Sequence, residues 1–214
     1  MINISKEAIA EVLFVAKRLD EKNLVNSYEG NISLKRDGLI YITPTAKIKG
    51  ILTEDMIAVI DGECKQVAGT CKPTSELIMH FNTYKIRDNI GGVVHSHPTY
   101  MTAFALCRKP VEAPSYPEMM GNFGSIEVAP FGMPGTDQIL EGAIPILKRK
   151  SIVLLANHGV LAVGATVIDA MNTTEACEAI TKVLVMAERL GGPVSLPKDT
   201  CEYFLSLQKE RFNR

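Results

Sequence analysis

Residues 151–164 read SIVLLANHGVLAVG, and this stretch contains two apolar runs separated by Asn157, His158 and Gly159. Each run has the length of a buried β-strand. A three-residue joint that contains a glycine is a common connection between the two strands of a hairpin. The stretch therefore predicts an antiparallel strand pair with a histidine in its turn.

Further strands and helices are predicted on both sides of this hairpin. Short apolar runs bounded by proline or glycine indicate strands at 39–43, 56–61, 91–95 and 125–130. Apolar residues at helical spacing predict a first helix capped by Ser5 and others at 73–85, 98–107, 136–150 and 166–190. The polar stretch 26–38 is assigned to no element. Because strands and helices mix without a regular βαβ rhythm, the sequence favours an α/β sheet flanked by helices and not necessarily parallel.

Composition places the chain among ordinary globular proteins. Its 214 residues are 46% hydrophobic and 22% charged, with a net charge of −1. A chain of this length can bury a large core as one domain, 1–214.

The small net charge argues against a nucleic-acid partner, and no apolar run is long enough to cross a membrane. The charged N-terminus is unlike a secretory signal, and the five scattered cysteines form no CxxC pair, so we expect a cytoplasmic protein with reduced thiols.

The histidines are the strongest chemical signal in the chain. Two of the four lie in VVHSHPTY (93–100). Residues i and i+2 of a strand point to the same face, so His95 and His97 can converge on one ion, and His158 can approach it from the predicted turn. Three neutral imidazoles with an open position are typical of a catalytic zinc site. A structural HxH pair and a hydrogen-bonding turn histidine are the alternatives, and His80 is interpreted as structural.

A second group of residues has the chemistry of an anion site. Glycine lets backbone N–H groups approach an anion, and asparagine and threonine side chains donate hydrogen bonds. Hydroxyl residues at the start of a helix add free N–H groups and the positive end of the helix dipole. Gly30, Asn31, Thr45, Thr74 and Ser75 have this chemistry. Taken alone, they favour a plain loop at GNIS and a helix cap at Thr74 or Ser75, and only the other sequence blocks of the chain make an anion site the preferred interpretation.

The chain resembles the class II aldolase/adducin-head family over nearly its whole length. Five blocks support the resemblance, namely EGNIS (29–33), ITPT (42–45), KPTSE (72–76), VVHSHP (93–98) and ANHG (156–159). Each block alone is weakly specific, whereas five blocks in this order and at matching separations are specific. The resemblance implies a single-domain three-layer α/β/α sandwich with a central, largely antiparallel sheet.

The resemblance also implies roles for individual residues. His95, His97 and His158 would bind one Zn²⁺ per subunit, and Glu76 would be the acid/base group and a metal ligand in the absence of substrate. Tyr116 lies at the spacing of a catalytic tyrosine supplied by a neighbouring subunit, although APSYPE can also be a plain turn. The anion-site residues would bind a substrate phosphate. A homotetramer with active sites at its subunit interfaces is implied as well.

The implied reaction is cleavage of a ketose 1-phosphate to dihydroxyacetone phosphate and an aldehyde. The closest similarity is to members that cleave L-fuculose 1-phosphate and release L-lactaldehyde. Members acting on 5-deoxyribulose or methylthioribulose 1-phosphate, L-ribulose-5-phosphate 4-epimerases and sugar-acid phosphate decarboxylases are same-fold alternatives. The epimerases usually have an aspartate where Glu76 stands. A non-catalytic adducin-like module would not need the histidines or Glu76.

Two departures from the family pattern lie in the expected substrate region. Tyr28 and Glu29 precede Gly30, where the aldolases usually have small residues, and Ala46 replaces a common glycine. A carboxylate at Glu29 would repel a phosphate unless it points away. Both departures affect substrate recognition and leave the expected metal ligands unchanged.

Overall fold

The structure is a computed structural model, and it describes residues 3–212 of the chain. Its strands are β1 (Asn31–Arg36), β2 (Leu39–Ile42), β3 (Ala58–Ile60), β4 (Gln66–Ala68), β5 (Gly92–Ser96), β6 (Val128–Ala129), β7 (Ile152–Leu155) and β8 (Gly159–Gly164). Its α-helices are α1 (Lys6–Glu21), α2 (Leu77–Thr83), α3 (Thr99–Leu106), α4 (Pro117–Asn122), α5 (Gln138–Glu141), α6 (Ile144–Leu147), α7 (Val167–Glu188) and α8 (Lys198–Phe212). None of the helices in this described part is long and apolar enough to cross a membrane.

The eight strands form one sheet in the order β4-β3-β2-β1-β5-β8-β7-β6. Within the described residues every neighbouring pair is antiparallel except β6 and β7. The predicted hairpin is confirmed, since β7 and β8 pair antiparallel with Leu155 opposite Gly159. Strand β5 lies between β1 and β8, where His95 is opposite Asn31 on one side and Leu161 on the other. This register places His95 in the centre of the sheet.

Helices cover both faces of the sheet, which confirms the predicted α/β architecture. Alternate residues of a strand point to opposite faces, so Val93 and Val94 enter different clusters. Val94 packs with apolar residues of α1 and α7, whereas Val93 packs with those of α2, α5 and α6. A third cluster lies under α3, α4 and α7, against β7 and β8. His95 shares the parity of Val93, so its side chain lies on the α2 face.

Two predicted helix starts are confirmed in atomic detail. The Ser5 hydroxyl accepts the N–H of Ala8 at 3.1 Å, as expected of an N-cap. Thr166 and Asp169 form a reciprocal capping box at the start of α7. The five cysteines form no disulfide with one another within the described residues.

Two predicted helices and one unassigned stretch differ from the structure. Helix α2 begins at Leu77, because the carbonyl and hydroxyl of Thr74 accept the N–H groups of Leu77 and Glu76 and form a turn first. The helix predicted at 136–150 is two short helices, since Pro145 lacks the N–H that a continuous helix needs. The polar stretch 26–38 contains the central strand β1, and its polar residues bond other buried polar groups.

Candidate active site

Three histidines converge where β5 and the β7–β8 turn meet. His95 lies near the end of β5, His97 follows that strand, and His158 immediately precedes β8. Their ligand nitrogens all lie within 4.8 Å of one another. The Nε2 atoms of His95 and His97 are 3.0 Å apart. The structure thus brings together the three residues that the sequence predicts as metal ligands.

The environment keeps the imidazoles of His95 and His97 neutral. Burial is the main reason why the pKa of His95 is lowered. It is also the main reason why the pKa of His97 falls to about 3. The neighbouring rings add to this effect on His97, because a second positive charge beside His95 or His158 would be repelled. Neutral imidazole is the form that coordinates a metal ion.

Glu76 places its carboxylate against two of the three histidines. Its Oε1 atom lies 3.2 Å from His158 Nε2 and its Oε2 atom lies 3.2 Å from His95 Nε2. Asn31 Nδ2 also donates a hydrogen bond to Oε2 at 2.9 Å. Burial opposes ionisation of Glu76, but hydrogen bonds with His158 and Asn31 favour the charged form, and the pKa of that carboxyl lies well below its usual range. The carboxylate is therefore charged at neutral pH.

This donor set fits a divalent metal ion. Three converging imidazole nitrogens, with carboxylate oxygens 3.2 Å from two of them, are ligands that zinc accepts. Carboxylate can leave the ion when another oxygen ligand arrives, whereas the three histidines are fixed by the sheet and its turn. The arrangement can hold a cation and still offer it a position for substrate.

A cavity of about 330 Å³ opens onto this cluster. Glu76, His97 and His158 form its floor, and the rest of its wall is formed by Tyr28, Glu29, Gly30, Ser75, Pro134 and Gly135. A larger groove of about 590 Å³ lies between α1 and α7, but its wall carries an Arg18–Glu175 ion pair and no histidine. The smaller cavity is the one with catalytic chemistry.

Two of the predicted phosphate residues line this cavity, and two others lie on a pair of neighbouring segments. Gly30 and Ser75 line it directly. Thr45 and Thr74 lie on two segments that pair at Pro44 and Pro73, where the Thr45 N–H is bonded to Lys72 and the Thr74 N–H to Thr43. Gly30 has a φ of +79°, and a Cβ there would lie 2.4 Å from Val25 Cγ1, so only glycine fits.

The remaining predicted residues occupy less direct positions. The side chain of Asn31 is held by Glu76 and His80. Tyr116 is half-buried at the N-cap of α4, packs against the third apolar cluster and does not line the cavity of its own chain. Glu29 lies on the cavity wall with one oxygen 3.9 Å from His97 Nδ1.

Sequence reasoning missed a buried polar group next to Glu76. His80 Nδ1 lies 2.7 Å from Ser33 Oγ, which in turn lies 2.7 Å from the hydroxyl of Tyr84. The available signal was the spacing of Glu76, His80 and Tyr84, because residues four apart share one face of a helix. Pro134 and Gly135 also line the cavity, and no sequence signal pointed to them.

Comparison with known proteins shows which family this chain resembles. Residues 10–185 match the family described as Class II Aldolase and Adducin N-terminal domain. An L-fuculose phosphate aldolase of Methanococcus vannielii is 33% identical over 177 residues, which cover 82% of this chain and 94% of the relative. A 5-deoxy-D-ribulose 1-phosphate aldolase of Bacillus thuringiensis serovar kurstaki is 30% identical over 197 residues, covering 90% and 91%.

A solved structure of an L-fuculose 1-phosphate aldolase resembles the whole chain. Its TM-score is 0.87 at 31% identity, and the match covers 99% of this chain and 98% of that one. The match therefore includes the sheet, the helices on both of its faces and the strands that hold the histidines. This chain belongs to the class II aldolase and adducin N-terminal domain family, and it is a metal-dependent lyase of the aldolase type.

Proposed function

We propose that this protein is a zinc-dependent aldolase that cleaves a ketose 1-phosphate, L-fuculose 1-phosphate or a close relative, to dihydroxyacetone phosphate and an aldehyde. The observation that carries the proposal is the position of the Glu76 carboxylate, 3.2 Å from both His95 Nε2 and His158 Nε2 at the floor of an open cavity. The similarity to two sugar-phosphate aldolases supports the substrate class.

The metal would be held by His95, His97 and His158, with Glu76 as a further ligand before substrate enters. Bound there, a zinc ion supplies Lewis-acid chemistry that stabilises negative charge developing on substrate oxygens. His95 and His158 would keep their positions during the reaction, because the β5–β8 pairing fixes the strand that carries His95 and the strand that follows His158.

Glu76 has the position of a proton-transfer group. In the cleavage direction the C4 hydroxyl of the substrate loses a proton, the C3–C4 bond breaks and an aldehyde leaves. Glu76 would then deliver a proton to C3 of the remaining enediolate, which yields dihydroxyacetone phosphate, and would remove the same proton in the synthetic direction. Its ionised resting state suits proton removal in the synthetic direction. In the cleavage direction the carboxylate must first take up one proton, which balances the proton released by the C4 hydroxyl, before it can protonate C3.

The phosphate would bind at the side of the cavity formed by Gly30 and Ser75, with Thr45 and Thr74 behind it and Asn31 at its inner edge. Remote phosphate binding positions C3 and C4 over the catalytic groups. Glu29 lies on the same wall and would have to turn outward when the phosphate arrives. We assign to Glu29 and Tyr28 a role in selecting the sugar.

Tyr116 would act from a neighbouring subunit, exchanging a proton with the aldehyde oxygen. Its absence from the cavity of its own chain is consistent with that assignment. We propose a cytoplasmic homotetramer built from one domain per chain, 1–214, with each active site completed at a subunit interface.

The test is release of dihydroxyacetone phosphate by the zinc-loaded protein from L-fuculose, L-rhamnulose, 5-deoxyribulose and methylthioribulose 1-phosphates. Each reaction is run with and without a chelator and beside Glu76→Gln. Chelator-sensitive release that Glu76→Gln abolishes supports the proposal, and the ranking of kcat/KM identifies the sugar. Metal bound in stoichiometric amount without release from any substrate would contradict it and would point to dehydration, decarboxylation or epimerisation.

A further inference from the structure

A continuous chain of buried hydrogen bonds ends on Glu76. Tyr84 Oη and His80 Nδ1 each lie 2.7 Å from Ser33 Oγ, His80 Nε2 contacts Asn31 Oδ1, and Asn31 Nδ2 lies 2.9 Å from Glu76 Oε2. Ser33 and His80 have no exposed surface. None of Ser33, His80 and Tyr84 lines the cavity. These groups therefore reach the substrate only through Asn31 and Glu76.

The orientation of the Asn31 amide sets the direction of every bond in this chain. Its NH₂ group faces Glu76 Oε2 at 2.9 Å, and its carbonyl oxygen, which can only accept, faces His80 Nε2. His80 must then carry its hydrogen on Nε2. A neutral imidazole with that hydrogen has a lone pair on Nδ1, which accepts from Ser33, and the Ser33 oxygen accepts from Tyr84.

Burial maintains this single protonation state. A second proton on His80 would place an unpaired charge in a site without solvent, which is strongly disfavoured. It would also leave the Ser33 hydroxyl without its acceptor. The neutral Nε2–H form is the one that satisfies every polar atom from Tyr84 to Glu76.

We propose that His80 is a positioning residue for Glu76, because it fixes the Asn31 amide in the orientation that donates to the Glu76 carboxylate. The kinetic consequence rests on the function proposed above. Without His80, the Asn31 carbonyl oxygen loses its hydrogen-bond donor, and the amide can rotate away from the geometry in which its NH₂ group donates to Glu76 Oε2. Glu76 would then lose its fixed position between His95 and His158.

The effect is expected in turnover and not in substrate binding. His80 has no contact with the cavity, so its loss removes no interaction with the sugar phosphate. Misplaced outer partners of a metal site typically cost about 10- to 100-fold in activity. We therefore expect such a loss in kcat, with KM unchanged within about threefold.

Three variants of the zinc-loaded protein test this inference. His80→Leu removes both ring nitrogens, and His80→Gln keeps an N–H donor that can reach Asn31. Thr83→Val is the matched control, because Thr83 is a fully buried residue of the same helix whose hydroxyl bonds only Met79. The inference expects a 10- to 100-fold lower kcat in His80→Leu, recovery to within about fivefold in His80→Gln and little change in Thr83→Val. Equal losses in His80→Leu and Thr83→Val, or no rescue by His80→Gln, would overturn it.

A second measurement does not depend on activity or on a variant that folds. Ring ¹⁵N NMR of the zinc-loaded wild-type protein reports which nitrogen of His80 carries its hydrogen. The Nε2–H form supports the inference, and the Nδ1–H form overturns it because the hydrogen bonds would then run the other way. If the wild-type protein cleaves no sugar phosphate, the proposed aldolase function fails, and the NMR result still decides the direction of the chain.

Discussion

The Nδ1 atom of His95 lies 2.9 Å from the carbonyl oxygen of Val160, and this hydrogen bond decides which ring nitrogen is available to a metal. A carbonyl oxygen only accepts, so Nδ1 must carry the hydrogen and Nε2 must present a lone pair to the other histidines. Ser96 and Val160 are opposite each other in the β5–β8 ladder. The sheet itself therefore sets the tautomer of a metal-binding histidine, as outer partners of such residues commonly do.

We expect one divalent metal ion per chain and its loss from His158→Ala. His158 lies in the β7–β8 turn and supplies one of three converging nitrogens, so its removal leaves two histidines and Glu76. Metal affinity should fall by about 100-fold or more, measured by titration and by metal content after dialysis.

The fourth histidine provides the control for that experiment. His80→Gln should keep a full metal equivalent, because His80 does not belong to the converging group. Equal metal content in His158→Ala and the wild-type protein would show that the three histidines do not form the metal site.

Acid should destabilise the metal-free protein through its buried histidines. Burial, with a smaller contribution from His95, lowers the pKa of His80 to about 3, whereas an unfolded histidine has a pKa of about 6.5. The unfolded state therefore binds the extra proton first, and the stability present above pH 6.5 is lost as the pH falls toward 3. For His80 alone the free energy of unfolding should fall by about 2 kcal/mol between pH 7 and pH 5.

Urea unfolding of metal-free wild-type protein and His80→Gln at these two pH values checks the expectation. His97 titrates in the same direction in both proteins, so the variant should keep a smaller acid dependence and not lose it entirely. Parallel losses in the two proteins would mean that His80 is not the source of the difference.

The sequence predicts those parts of the fold that depend on apolar periodicity. The hairpin around Asn157-His158-Gly159 and the capped helix after Thr166 follow from local patterns. Strand β1 does not, because Asn31 and Ser33 are buried polar residues that bond Glu76 and His80 instead of following an apolar alternation. The converging histidines were predicted from spacing, whereas the His80 chain depends on contacts between β1 and α2 that no local pattern encodes.

Replacing Ala46 by glycine should stabilise the protein slightly. Ala46 has a φ of +50°, in the left-handed region that costs a residue with a Cβ about 1–2 kcal/mol. Glycine removes that cost, but its greater freedom in the unfolded state lowers the free energy of unfolding by about 0.4–1 kcal/mol. The net gain in stability is therefore expected to be about 0.5 kcal/mol.

The control for this prediction is the same substitution in a helix, Ala10→Gly, on the exposed side of α1. Ala10 lies inside a helix, so glycine there should lower the free energy of unfolding by about 1 kcal/mol. Thermal unfolding of both variants should give shifts of opposite sign. Two losses of similar size would show that the turn at Ala46 is not strained.

The proposed role of Tyr116 predicts that two inactive variants restore activity when their chains mix. Tyr116→Phe keeps the three histidines, and His158→Ala keeps the tyrosine. Some sites of a hybrid assembly therefore combine the histidines of a Tyr116→Phe chain with the tyrosine of a His158→Ala chain. If both chains assemble at random, about a quarter of the sites are complete, and the hybrid should show about that share of wild-type activity.

Co-expression of the two variants with different tags isolates the hybrid. The control pair His158→Ala and His97→Ala should stay inactive, because neither chain can hold the metal. No recovery with Tyr116→Phe, although hybrids form, would place Tyr116 outside the active site or within the site of its own chain.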